Sequence, residues 1–144
     1  MLVGSGIHSY NREIIFEDQN CQCIKITWPP DHWATPHDHG DSRGWFTVLK
    51  GRAFQMTYSR SLVFANKNRP SDQRQNPFSP KYIYHLGHGD QELSSTIHVL
   101  GNDDPVQELI TLHFYQPPLK MRYYPMLTGP FISAIARPSD VILK

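Results

Sequence analysis

Pro36-His37-Asp38-His39-Gly40-Asp41-Ser42-Arg43-Gly44-Trp45-Phe46-Thr47-Val48-Leu49-Lys50-Gly51 is the stretch from which the rest of the chain is read. His37 and His39 stand two residues apart. On an extended strand such residues point to one face with roughly 6.5 Å of rise between them, so both imidazoles can reach one metal ion. Imidazole suits iron, zinc, copper and nickel, and the pair alone does not choose among them. The apolar run Trp45 to Leu49 reads as a buried strand, and Gly51 as the turn that closes it. Taken by itself, an H-x-H triplet fits two surface histidines in a loop equally well.

The chain has 144 residues, the length of one domain with a full-sized core, and residues 1–144 are read as one unit. A net charge of +1 gives no reason to expect a nucleic acid or an anionic membrane as partner. Charged residues are sparse at 19%, aromatics are plentiful at 12%, and 12 prolines and 9 glycines punctuate the chain; this favours many short strands over long helices. The two cysteines, Cys21 and Cys23, form a C-x-C that is neither a redox C-x-x-C nor a zinc spacing, and they are expected as reduced thiols. No signal peptide is read before residue 10, and no apolar run approaches the ~20 residues that span a bilayer. A cytoplasmic location is therefore expected, and a homo-oligomer stays open.

Outward from the histidine stretch, the pattern is one of strands. Residues 1 to 9 read as a polar lead-in, Tyr10 to Phe16 as a first strand, Glu17 to Asn20 as a turn, and Cys21 to Trp28 as a second strand ended by Pro29-Pro30. Ala53 to Tyr58 is expected to pair across Gly51 as a hairpin. Leu62 to Ala65 reads as a continuation of that meander, and Asn66 to Pro80 as an exposed loop. Tyr82 to His85, Thr96 to Leu100 and Gln107 to Phe114 read as later strands, with another around Phe131 to Ala136. No amphipathic helix stands out. The expected architecture is all-β, an antiparallel barrel or sandwich. His85, His88 and His98 are each open as a third ligand on this reading alone. Thr111, His113 and Tyr115 stand at i, i+2 and i+4 of a strand, so a hydroxyl, an imidazole and a phenol share one face and can form a hydrogen-bonded row.

The pattern resembles a cupin, a small double-stranded β-barrel with a metal in its mouth. The first cupin motif, G-x5-H-x-H-x(3,4)-E-x6-G, is matched by His37, His39 and Gly51; its glutamate position falls on Gly44 and its opening glycine on Asp31. The second, G-x5-P-x-G-x2-H-x3-N, is matched by Gly87, His98 and Asn102, with Leu93 and Ser95 at the proline and inner-glycine positions. This alignment selects His98 as third ligand. A three-histidine site without the glutamate is similar to that of thiol dioxygenases of the cysteine dioxygenase type. Tyr10-x-Arg12 resembles that family's arginine motif, His37 to Ser42 its metal motif, and Thr111-Leu112-His113-Phe114-Tyr115-Gln116-Pro117-Pro118 its S-x-H-x-Y-x-P-P strand.

The resemblance implies Fe(II) held by His37, His39 and His98, with O2 and a small thiol as the other partners. The implied product is the sulfinic acid, the second step of the thiol oxidation ladder. It implies that Arg12 grips the substrate carboxylate with Tyr10 beside it, and that Thr111, His113 and Tyr115 form the catalytic row. Family members that oxidise 3-mercaptopropionate tend to lack this arginine, so L-cysteine is the expected substrate. Another small thiol is the alternative, and a non-catalytic cupin that binds a metal or ligand is a third reading. Animal members carry a cysteine, cross-linked to the tyrosine that matches Tyr115, where this chain has Gly44; a glycine excludes the cross-link. Thr111 keeps the hydroxyl of the family's serine. Typical members carry an N-terminal helical section ahead of the position of Tyr10, and without it either a more open barrel or a changed substrate is expected. Trp28 reads as barrel packing, and His8, His32, His85 and His88 are assigned nothing.

Overall fold

A computed structural model describes residues 10–135 and 141–143. In chain order its elements are β1 (Asn11–Glu17), β2 (Gln22–Trp28), β3 (His32–Trp33), β4 (His37–Asp38), β5 (Arg43–Lys50), β6 (Ala53–Tyr58), α1 (Arg60–Asn66), β7 (Lys81–Tyr84), β8 (Gly89–Glu92), β9 (Ile97–Asn102), β10 (Leu109–Gln116), β11 (Arg122–Tyr123), α2 (Thr128–Ile135) and β12 (Val141–Leu143). They form two sheets. One has the order β1-β2-β10-β5-β8; the other runs β11-β4-β9-β6-β7-β12, with β3 also paired to β9. Every pairing is antiparallel except β12 on β7. The antiparallel architecture expected from the sequence is present, but the two sheets are not hydrogen-bonded into one closed barrel.

Period-two burial builds the first sheet. Gln22, Ile24, Ile26 and Trp28 are buried along β2, and Leu109, Thr111, His113 and Tyr115 along β10. Their inward faces meet Phe46 and Val48 of β5, Tyr84 and Leu100 in one cluster. β6 is buried on both faces from Ala53 to Met56. Ala53 belongs to this inner cluster, whereas Phe54 and Met56 pack on the far side of their sheet under Phe131 and Ala134 of α2.

Several expectations are corrected. Trp45 to Leu49 is not buried throughout: Phe46 and Val48 point inward, while Trp45 and Leu49 are 54% and 45% exposed. β5 and β6 do not form a hairpin. β5 is already flanked by β10 and β8, so the turn at Gly51 (φ +79°) carries the chain from one sheet to the other. Leu62 to Ala65 lies in α1, started by the Ser59 side chain, which accepts a hydrogen bond from Leu62 N. Phe131 to Ile135 lies in α2, where Phe131 and Ala134, three apart, make the buried stripe. Residues 1–9, with His8, and Ala136 lie outside the described residues. β4 carries the expected extended histidine pair, whereas the short strands β3, β8, β11 and β12 carry no pattern that the sequence makes visible. Cys21 and Cys23 are free thiols, as expected. Among the described residues no helix is long and apolar enough to cross a membrane.

Candidate metal centre and its cavity

β4 and β9 run antiparallel with His37 directly opposite His98. His39 follows two residues on, past Asp38, whose side chain points the other way. Gly40 (φ +58°) turns the chain there, and a Cβ on it would lie 2.4 Å from the Lys120 carbonyl oxygen. One ligand atom from each of the three histidines lies within 4.8 Å of the others, and all three residues are buried. His37 and His98 approach through Nε2, 3.1 Å apart.

The other ring nitrogens settle the tautomers. His37 Nδ1 meets the Thr35 carbonyl at 2.7 Å, His98 Nδ1 meets Gln55 Oε1 at 2.6 Å, and His39 Nδ1 meets the Leu93 carbonyl at 3.3 Å. Each partner is an acceptor, so each Nδ1 carries the proton and each Nε2 presents a lone pair. His39 Nε2 has no hydrogen-bond partner among the described residues. Burial, reinforced by the neighbouring imidazoles, pushes His37 down to about 4 and His98 well below its ordinary value. Neutral imidazoles with lone pairs aimed at one point repel one another until a cation sits between them. The residues therefore fit a divalent metal, and acceptors behind ligating histidines are the usual way such rings are held.

Asp38 and Gln55 escaped the sequence reading. Asp38 is fully buried on the back of the histidine strand. Its Oδ1 accepts from Gly40 N (3.0 Å) and Arg122 Nε (3.1 Å), and its Oδ2 from Tyr124 Oη (2.7 Å), with Arg60 at 3.6 Å. Burial opposes its charge, but these donors outweigh that and hold it at about 2. The motif asparagine, Asn102, is a clamp away from the centre; its amide donates to the carbonyls of Trp28, Pro29 and Gln107. His32 bonds the Pro30 carbonyl, and His85 and His88 are exposed, so none of them joins the cluster.

Thr111, His113 and Tyr115 form the expected row. Trp28 Nε1–H can only donate, and it does so to Thr111 Oγ1 at 2.9 Å. The Thr111 hydroxyl is then free to donate to His113 Nε2 at 2.7 Å. That makes Nδ1 the protonated nitrogen of His113, donating to Tyr115 Oη at 3.1 Å and leaving the phenol proton free to point elsewhere. Trp28 thus does more than pack. Burial and the Glu92 carboxylate push Tyr115 well above its ordinary value, so it stays protonated. The Tyr115 ring stacks on His39 with centroids 5.6 Å apart.

Tyr10, Arg12, His37, Glu92, His113 and Tyr115 share the lining of a cavity of about 20 Å³. Tyr10 is buried against Trp28, and burial pushes its phenol up to about 12. Arg12 lies on the edge strand β1 and is exposed, with no ion pair or hydrogen bond among the described residues. Met121 and Leu119 line the cavity as well, the latter held by a hydrogen bond from its N–H to Gln22 Oε1. Of the eight residues assigned to the site from sequence, Tyr10, Arg12, His37, His113 and Tyr115 line this cavity, His39 and His98 cluster with His37, and Thr111 joins through His113. Gly44 stands opposite Tyr115, where a Cβ would lie 1.6 Å from the Phe114 carbonyl oxygen, so this backbone admits no side chain at the motif's glutamate position.

Comparison with solved structures places the fold. A Klebsiella pneumoniae protein with a double-stranded beta-helix domain matches with a TM-score of 0.59 at 13% identity, over 85% of this chain and 90% of that one. An oxalate decarboxylase from Lactobacillus farciminis matches with a TM-score of 0.61 at 14% identity, over 82% of this chain and 32% of that one. A recombinant oxalate oxidase in complex with glycolate gives 0.61 at 11% identity, over 83% and 57%. At such identities the likeness is one of fold, the double-stranded β-helix of cupins. A family model for cysteine dioxygenase type I matches residues 8–124. That match takes in the histidine cluster, the hydroxyl–imidazole–phenol row and the edge arginine, and this chain belongs to the cysteine dioxygenase type I family.

Proposed function

We propose that the protein is an iron-dependent thiol dioxygenase that converts a small thiol carboxylate, L-cysteine first among them, with O2 to the sulfinic acid. The observation that carries this reading is a cavity lined by His37, the protonated Tyr115 phenol and the Arg12 guanidinium, with His39 and His98 clustered on His37 behind it. Fe(II) held by His37, His39 and His98 would supply the electron transfer that lets O2 react with a thiolate. Both oxygen atoms end on sulfur, so the thiol and O2 account for the product with no outside reductant.

The chain's own residues have separate tasks. Arg12 offers a planar fork for the substrate carboxylate, which suits a bidentate contact and fixes which end of the molecule faces inward. Tyr10, kept protonated by burial, adds a second donor beside it. Tyr115 holds its proton toward the reacting end, oriented by His113, Thr111 and Trp28 in turn. Ile24, Ile26 and Leu100 line the same space and keep water out of it.

Oxygen consumption by Fe(II)-loaded protein with L-cysteine, 3-mercaptopropionate and cysteamine, with the product identified by mass, tests this. Uptake with cysteine that collapses in Arg12→Ala supports the carboxylate grip. Uptake only with 3-mercaptopropionate moves the substrate and keeps the chemistry. No uptake from protein shown to hold iron overturns the reading in favour of a metal-binding cupin without catalysis.

A further inference from the structure

Glu92 has no task of its own in the reading above, yet it is buried among the site's side chains. It ends β8, across from Gly44 in the register of β5, and its side chain is fully buried. Oε2 lies 3.8 Å from His39 Nε2, and Oε1 lies 3.4 Å from His113 Nδ1. Neither carboxylate oxygen has a hydrogen-bond partner among the described residues, and neither does His39 Nε2, the atom it faces. An ionised carboxylate buried this way is costly unless a cation compensates it. Its ion-pair contacts among the described residues are two imidazoles, with no lysine or arginine.

We propose that Glu92 is a fourth protein ligand of the metal centre, reaching His37, His39 and His98 from the opposite sheet. This rests on the metal-centre part of the proposed function. Two donors on one ion with bonds of about 2.1 Å stand at most about 4.2 Å apart, and the 3.8 Å between Glu92 and His39 lies inside that limit. The histidines form the mutual 4.8 Å cluster without Glu92, so coordination requires the carboxylate to swing inward, away from His113 and the Tyr115 hydroxyl that it now faces. Gly44 accounts for the need. The first-motif glutamate position cannot carry a side chain in this backbone, and the residue beside it across the strand pair is a carboxylate aimed at the same centre. With Glu92 bound, a divalent ion keeps net charge +1 instead of +2, and a six-coordinate ion keeps two open positions instead of three.

The test is Co(II) titration of metal-free full-length protein, wild type and Glu92→Gln, followed by ligand-field absorption and by competition with Fe(II). The expected result is one Co(II) per wild-type chain, with Glu92→Gln binding at least about tenfold more weakly and showing displaced bands. A carboxylate that only orients His39 or His113 would weaken binding and leave the bands in place, so superimposable bands overturn the proposal. Wild-type protein that binds neither Co(II) nor Fe(II) overturns the metal centre itself, whereas bands and affinity unchanged by Glu92→Gln overturn Glu92 alone. Should Glu92→Gln not fold, a crystal structure of Co(II)-loaded wild type decides. A Glu92 oxygen at about 2.2 Å from the ion supports the proposal, and one beyond about 3 Å overturns it.

Discussion

Each imidazole of the centre is aimed by an atom the sequence does not advertise. His98 depends on Gln55, a residue of another strand that also donates to Tyr84 Oη. Gln55→Leu removes the acceptor behind His98 and is expected to weaken Fe(II) or Co(II) binding about 10- to 100-fold, measured by chelator competition, with little change in thermal stability of the metal-free protein. Tyr115→Phe separates the phenol proton from the metal. Its expected outcome is a fall of about 100-fold in kcat with metal affinity unchanged, read from oxygen uptake and titration on the same preparation. Legibility at this scale follows sequence distance. His37 and His39, or Thr111, His113 and Tyr115, declare themselves because strand alternation puts near neighbours on one face. Gln55, Glu92 and Asp38 acquire their meaning from partners dozens of positions away, which no spacing rule reaches.

Elements were legible where their burial is regular and opaque where it is not. β2 and β10 alternate cleanly, whereas β8 reads Gly-Asp-Gln-Glu and owes its strand form to β5 beside it. The apolar runs at Leu62 and Phe131 fit either element type by composition, and the Ser59 cap and the three-residue stripe of α2 decide for helix. Gly44 sets how closely β5 approaches β10. Gly44→Ala drives a methyl into the Phe114 carbonyl and should cost on the order of 3 kcal/mol or displace β5, measurable as a lowered denaturation midpoint. Asp38 ties β4 to β11 and α1. Its folded-state value of about 2 lies below the ordinary 3.8, so its contribution is complete above about pH 4 and is lost as pH falls toward 2. Because Arg122 and Arg60 are substantially exposed, that contribution is about 1–2 kcal/mol. Asp38→Asn should remove it, flattening the acid limb of the stability curve.

For the whole molecule, the class of architecture followed from composition, but the partition into sheets did not. Gly51 looks like a hairpin turn because the residues around it are those of a hairpin; where the chain goes afterwards depends on β8 and β10 having taken both edges of β5. The centre draws on both sheets, with His37 and His98 from one and Glu92, His113 and Tyr115 from the other. A metal bound there stabilises the folded state by mass action, about 2.7 kcal/mol at a free concentration one hundred times the dissociation constant. Chelator should accordingly lower the melting temperature of loaded protein by several degrees, and a variant lacking His98 should melt at one temperature with or without it.

β1 gives this arrangement an unequal footing. Among the described residues it pairs only with β2, every one of its residues is exposed, and Ile14, Ile15 and Phe16 are each more than half exposed. Its outer amides have no ladder partner among the described residues, so they are expected to exchange with solvent far sooner than those of β10 at the sheet's centre. Arg12 rides on that strand. Whatever anion the guanidinium holds would therefore pin the least secured margin of the sheet, and occupancy could be timed without turnover by watching deuterium uptake in residues 11–17 slow while that of β10 stays as it was.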